Sequence, residues 1–289
     1  MGQLIAKLMK RECRTKLKCL KTIDDSCLAQ KYPKTLQRLD IMSYIGRFYK
    51  DELNTFFKLN PNVRNLAIHV FCMLMNQSSL IESNIKLDDL TIDDWKVLDE
   101  VYDLLNCLHE RGFYKRLHYY AVNRIPPKDK LAKLPGLVTL FVHSWNNDRV
   151  IELPELSSLK ELIFYSNHIY KELEKIPNLC INLERLVIVD AIFDDILPFI
   201  RHSMKLKEIE IKFLNENTLD IVRLDNERKK LNGAQKVIIF VSDKLYFATK
   251  CITNDVILDL IEIKNNDPHE QAHNFQSQFF HLFSENRVY

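Results

Sequence analysis

One stretch has residue types and spacing that could do chemistry by themselves: "HEQAH", with His269, Glu270 and His273. On a helix, two histidines four apart share a face and can ligate zinc. The glutamate between them can then act as base toward a metal-bound water. His281 or Glu285 would supply a third ligand. Position 276 is Gln, where the longer zinc-protease pattern needs glycine. A zinc hydrolase is thus the remote reading, and a polar surface helix the nearer one. The sequence has no P-loop, dinucleotide fingerprint or G-x-S-x-G elbow. His118, His143, His168 and His202 are scattered and read as structural or surface residues. The expectation is a chain without catalytic residues, metal or cofactor.

Composition narrows the rest. The 289 residues are 46% hydrophobic, enough for a large core, and five glycines with nine prolines leave little room for flexible linkers. Basic and acidic residues balance at 41 against 39, and aromatics do not pair with basic clusters, so no nucleic-acid partner is expected. One local excess lies at the start, where Lys7, Lys10, Arg11, Arg14, Lys16, Lys18 and Lys21 face only Glu12. It reads as a solvated basic arm. No apolar run is long enough to span a bilayer, the first residues lack a signal peptide, and Ala6 breaks the myristoylation pattern. No membrane partner is expected. The seven cysteines form no C-x-x-C pair and read as reduced thiols of a cytoplasmic or nuclear protein.

A repeated spacing supplies the architecture. "LQRLDI" from Leu36, "VRNLAI" from Val63, "LDDLTI" from Leu87 and "LHYYAV" from Leu117 share an L-x-x-L-x-I pattern. "LVTLFV" from Leu137, "LKELIF" from Leu159, "LERLVI" from Leu183 and "LKEIEI" from Leu206 continue it. Looser copies start at Leu17, Ala234 and Leu258. The mean spacing is about 24 residues, inside the roughly 20–29 of leucine-rich repeats.

In each copy the last two apolar positions lie two apart, the period of a strand with one face buried. Helical stretches lie between copies. "DDWKVLDEVYDLLNCLHERG" puts Trp95, Leu98, Val101, Leu105 and Leu108 on one face. "IFDDILPFIRHS" does so with Ile192, Ile196, Phe199 and Ile200, and Pro198 is expected to kink or shorten it. A unit this small cannot cover its own apolar edge and needs a neighbour on each side. The expected fold is α/β: a leucine-rich repeat solenoid, a horseshoe with a parallel concave sheet and helices on the convex side. A doubly wound domain would instead show continuous apolar strands. The expected organisation is a basic segment at 1–16, ten to eleven irregular repeats over 17–264, and a capping segment at 265–289. There, Phe275, Phe279, Phe280 and Phe283 of "HNFQSQFFHLF" share a helical face.

These repeats resemble leucine-rich repeat proteins. Their irregular length, with "LDIVRLDNERKKLNGAQKVIIFVSDKLYFATK" at 219–250, resembles the F-box/leucine-rich repeat proteins of insects. The resemblance implies repeats that hold a substrate while an amino-terminal F-box docks on a Skp-type adaptor of a cullin–RING (SCF-type) ubiquitin ligase. The 16 residues before the first copy hold no recognisable F-box. Two functions follow: a non-catalytic, substrate-receptor-like protein-binding module, or a freestanding interaction scaffold or inhibitor.

Strand alternation selects the binding residues. Counting from the leucines, Thr139, Phe141 and His143 point to the concave face, as do Tyr119 and Ala121, Ile163 and Tyr165, Val187 and Val189, and Ile238 and Phe240. Phe141, Ile163 and Val187 occupy equivalent positions in successive copies and are expected to form an exposed apolar strip. Glu161, Arg185, Glu208, Glu210 and Lys212 would rim it, the usual layout of a protein interface. Aspartate at Phe141 and Ile163 is expected to abolish capture of a protein partner with the fold intact.

Overall fold

The computed structural model describes residues 19–21, 31–32, 34–41, 52–94, 99–122, 126–143, 153–165, 173–189, 191–212, 218–252 and 257–265. The "HEQAH" motif, the phenylalanine-rich capping segment and most of the basic arm lie outside the described residues. The chain divides after Phe164 into two compact units.

In the first unit seven strands follow in chain order: β1 (Cys19–Lys21), β2 (Arg38–Ile41), β3 (Asn65–His69), β4 (Leu87–Asp94), β5 (Tyr114–Val122), β6 (Leu137–His143) and β7 (Glu161–Tyr165). Each pairs in parallel with the next. The second holds β8 (Arg185–Val189), β9 (Glu208–Ile211), β10 (Val237–Val241) and β11 (Ile261–Asn265), again parallel and in chain order. Between strands lie α1 (Glu52–Leu59), α2 (Val70–Met75), α3 (Gln77–Glu82), α4 (Asp99–Glu110), α5 (Lys128–Leu131), α6 (Ile176–Leu179), α7 (Phe193–His202), α8 (Ile221–Lys229) and α9 (Asp243–Ile252). One strand per repeat, parallel neighbours in chain order and a helical return make both units α/β leucine-rich repeat solenoid.

The leucine pattern does what its spacing demands. Leu36, Leu39 and Ile41 are buried, as are Val63, Leu66 and Ile68, and Leu183, Leu186 and Ile188. Each such side chain contributes roughly 2 kcal/mol of burial. The first apolar residue of a copy also closes a tight turn. Leu159 N donates to Leu156 O at 3.1 Å, Leu183 N to Cys180 O at 3.0 Å and Leu206 N to Ser203 O at 3.3 Å. The next amide reaches back one repeat, as in Lys160 N to Val138 O at 2.9 Å and Lys207 N to Glu184 O at 2.9 Å. Turn and rung are thus one unit. At Gly136 (φ +68°) a Cβ would sit 2.6 Å from the Lys115 carbonyl, so only glycine passes there.

Two local expectations are corrected. Asp93 and Asp94 belong to β4, and the described helix begins at Asp99. Asp94 is fully buried and accepts the Tyr119 hydroxyl at 2.5 Å, so its polar group is satisfied inside the core. The phase of β5 also differs. Tyr114 pairs with Leu87 and Leu117 with Leu90, so Tyr114 takes the first apolar place that the pattern gave to Leu117. Beyond it the register with β6 slips between Leu117 and His118. A shift of this kind exchanges the two faces. Tyr119 and Ala121 therefore pair with Ile92 and Asp94 on the core side, fully buried, and His118 and Tyr120 take the other face.

The second unit is pinned by a buried arginine. Arg228 of α8 donates to the carbonyls of Ile200, Ser203, Met204, Leu206 and Gln235, at 2.7 to 3.3 Å. The first three lie at and just beyond the carboxyl end of α7, where orphan carbonyls and the helix dipole favour a cation. Burial brings the Arg228 pKa down to about 10, leaving it charged at neutral pH. Pro198 does not stop α7, which runs through to His202. The partner it denies belongs to Asp194, an exposed residue of the first turn where water can serve the carbonyl.

Candidate functional site

The sheet face away from the leucine core carries the chemistry of the first unit. Four strands contribute polar residues to it: Asp89 on β4, in register with Arg116 on β5, and His118 on β5, in register with Thr139 on β6 and through it with Glu161 on β7. Parallel register sets neighbours about 4.8 Å apart, close enough to bond directly. His118 Nε2 meets Asp89 Oδ1 at 3.1 Å, His118 Nδ1 meets Thr139 Oγ1 at 2.9 Å, and Thr139 donates to Glu161 Oε2 at 2.9 Å. Arg116 closes the near end, gripping both oxygens of Asp89 at 2.7 and 2.9 Å. The Asp89 carboxylate can only accept, so His118 meets it with Nε2–H, while Thr139 gives its proton to Glu161.

Burial alone would push the Asp89 carboxyl up. The His118 and Arg116 hydrogen bonds and charges outweigh it and hold the group below the usual carboxylate range. Asp89, His118 and Glu161 are half-buried and Arg116 is exposed, so the ladder presents ordered charge to solvent. Thr139 is buried and its hydroxyl is committed to Glu161, an arrangement that orders side chains rather than readying a nucleophile.

The expected apolar strip is placed differently from the sequence reading. Phe141 and Ile163 do lie side by side in register on this face, but both are fully buried. Tyr120 flanks Phe141 with ring centroids 5.6 Å apart. Val187, opposite Glu210, and Val189 are buried in the second unit. The expectation that this strip is exposed is corrected: alternation selects a face, and the cover given by neighbours then decides exposure. His143 and Tyr165 lie in strands, but their side chains are outside the described residues. Ile238 and Phe240 do stay half-exposed, in register with Glu208 and Glu210 on one side and Glu262 and Lys264 on the other.

The charged rim of the second unit is self-paired. Arg185 reaches Glu210 at 2.7 Å and Glu208 at 3.6 Å, and Lys212 pairs with Glu210. Lys236 holds Glu262 at 3.0 Å.

The other perturbed groups are structural. Burial lowers the pKa of His69, against a raising effect of Asp94, and its Nδ1 caps α2 by accepting from Phe71 N at 3.1 Å. Burial lifts the Cys180 thiol to about 12, so it stays protonated and inert. Among the described residues no group of three or more His, Cys, Asp or Glu could hold a metal ion, and no helix is long and apolar enough to cross a membrane.

The ladder was missed in the sequence because its members lie 21 to 29 residues apart along the chain. Comparing equivalent positions across copies could have found it, but the wrong phase at β5 put His118 on the wrong face.

No protein-family profile and no curated protein matches the chain. Among solved structures, one similar chain is TLR13 in the crystal structure of its complex with ssRNA13, at 14% identity and a TM-score of 0.43. The match covers 90% of this chain and 38% of that one, so this chain spans well under half its length.

Proposed function

We propose that the chain is a non-catalytic protein-binding module that engages its partner through the sheet faces opposite the leucine core. The observation that carries this is the ladder Arg116–Asp89–His118–Thr139–Glu161. A row of mutually oriented polar groups on strands, open to solvent at Arg116, Asp89, His118 and Glu161, suits recognition, because little side-chain entropy remains to be lost on binding. In the second unit Ile238 and Phe240, rimmed by Glu208 and Glu262, offer an apolar contact with a polar border.

The finer reading is a substrate receptor of an SCF-type ubiquitin ligase, supported by the resemblance of 219–250 to insect F-box/leucine-rich repeat proteins. Ubiquitin chemistry would then belong to the Skp-type adaptor and cullin–RING subunits. The second reading is a freestanding interaction scaffold or inhibitor, which the same sheet faces would serve without any ligase subunit. Affinity capture with the wild type and with His118→Ala/Glu161→Ala tests the binding face. A specific partner retained by the wild type and lost by a folded variant supports it; equal capture by both rejects it. Direct titration with a purified Skp-type adaptor separates receptor from scaffold.

A further inference from the structure

We propose that His69 is a proton-operated latch on α2. Neutral, it caps the helix; protonated, it turns toward Asp93 and Asp94 and releases the first turn, with Phe71. The latch lies where β3 runs straight into α2. His69 closes the strand, and its Nδ1 accepts from Phe71 N at 3.1 Å. Nδ1 is therefore unprotonated and the ring proton sits on Nε2. The ring is buried and stacks on Phe71, with centroids 5.7 Å apart and planes 8° from parallel. α2 has six residues, too few to hold a helix by itself, and its first turn has no acidic side chain. The cap thus carries much of what keeps that turn wound. Phe71 and Met75 lie four apart on one face of α2 and are 40% and 63% exposed, so the helix that the latch holds carries an open apolar pair.

The groups around the ring give it a second position. Asp93 of β4 is opposite in register, its Oδ1 3.9 Å from Nε2, and Asp94 follows it. Asp40 of β2 shares the face, opposite Ala67, with Arg38 at 3.8 Å. Tyr120 of β5 stands beyond Asp93 in register. Among the buried residues of α3 and α4, which pack on α2, Tyr102 is the titratable one, and α2 adds the Cys72 thiol. A second proton must go to Nδ1, which then faces the Phe71 N–H donor to donor, while the cation is drawn to the carboxylates of β4. One ring cannot serve both. Burial outweighs the pull of Asp94 and keeps the folded His69 below its ordinary value. The capped state is therefore fully favoured above about pH 6.5, the ordinary imidazole value, and loses ground as pH falls toward the lower folded one.

Amide exchange of the full chain at about pH 7.5 and 5.0, corrected for intrinsic rates, tests this. In the wild type, protection across 70–75 relative to β8 and β9 is expected to fall at least threefold at the lower pH. His69→Asn keeps a capping oxygen without a titrating ring, so its protection is expected to change less than twofold. No fall in the wild type, or an equal fall in the asparagine variant, would overturn the proposal. Ring nitrogen shifts of the wild type give an independent reading. They are expected to report the Nε2–H tautomer at neutral pH, with ring protonation tracking the loss of protection; a ring already carrying Nδ1–H at neutral pH would sink the latch.

Discussion

The two units differ in where their most connected polar network lies. In the first it lies on the sheet face, where exposed Arg116, half-buried Asp89, His118 and Glu161, and buried Thr139 link four strands. The second also pairs charges on its sheet face, but its densest network lies under the sheet. There Arg228 gathers five carbonyls, and Asp225 accepts from Leu260 N at 2.7 Å and Ile261 N at 3.0 Å while pairing with Lys229 at 2.8 Å. A polar group at the surface can be exchanged for water when it is removed, but one in the interior cannot. The first arrangement is therefore suited to recognition and the second to holding repeats together.

The largest test of that contrast is Arg228→Met. It leaves several buried carbonyls without donors and should destabilise the second unit by about 3–5 kcal/mol in chemical denaturation. Arg228→Lys should recover little of this, since one ammonium cannot span the fork of contacts. A mild effect of Arg228→Met would break the distinction between the units.

Phe141→Asp comes next. The side chain is buried between Tyr120 and Ile163, so the substitution should cost about 3–5 kcal/mol and lower the melting temperature rather than remove binding cleanly. Binding lost with the melt unchanged would show that the residue is in fact presented to a partner.

Asp225→Asn should cost about 2 kcal/mol and change the acid response. Burial pushes the Asp225 carboxyl up, but Lys229 and the backbone amides of Leu260, Asp259 and Ile261 more than offset this, and the group is held below its ordinary value. With a folded-state pKa below the unfolded one, its contribution is complete above about pH 4 and is lost as pH falls through the lower value. The wild type should therefore lose stability in that acidic window, measured by denaturation at stepped pH, and the asparagine variant should lose less. Thr139→Val is the mildest. It should change stability by about 1 kcal/mol and weaken partner capture, because His118 and Glu161 lose their shared neighbour.

Much of the fold was legible. The leucine triplets named ten of the eleven described strands in correct phase, and α4 and α7 followed from their 3.6-residue spacing. The phase failed at β5, where "YKRLHYYAV" offers Tyr114, Leu117, Tyr119 and Tyr120 as competing apolar anchors. Only the pairing of Tyr114 with Leu87 resolves them. The site was less legible, because alternation assigned Phe141 and Ile163 to a face without revealing their cover.

By itself the sequence determined the repeat, its spacing and the identity of the inward leucines, since these depend on local periodicity and on the need of each small unit for a neighbour. Tertiary structure alone decided the phase of β5, the burial of Phe141 and Ile163, and the meeting of Asp89, His118, Thr139 and Glu161. Those outcomes depend on which residues lie beside one another across strands, and register between distant segments is set by the packing of the whole sheet rather than by any one stretch of chain.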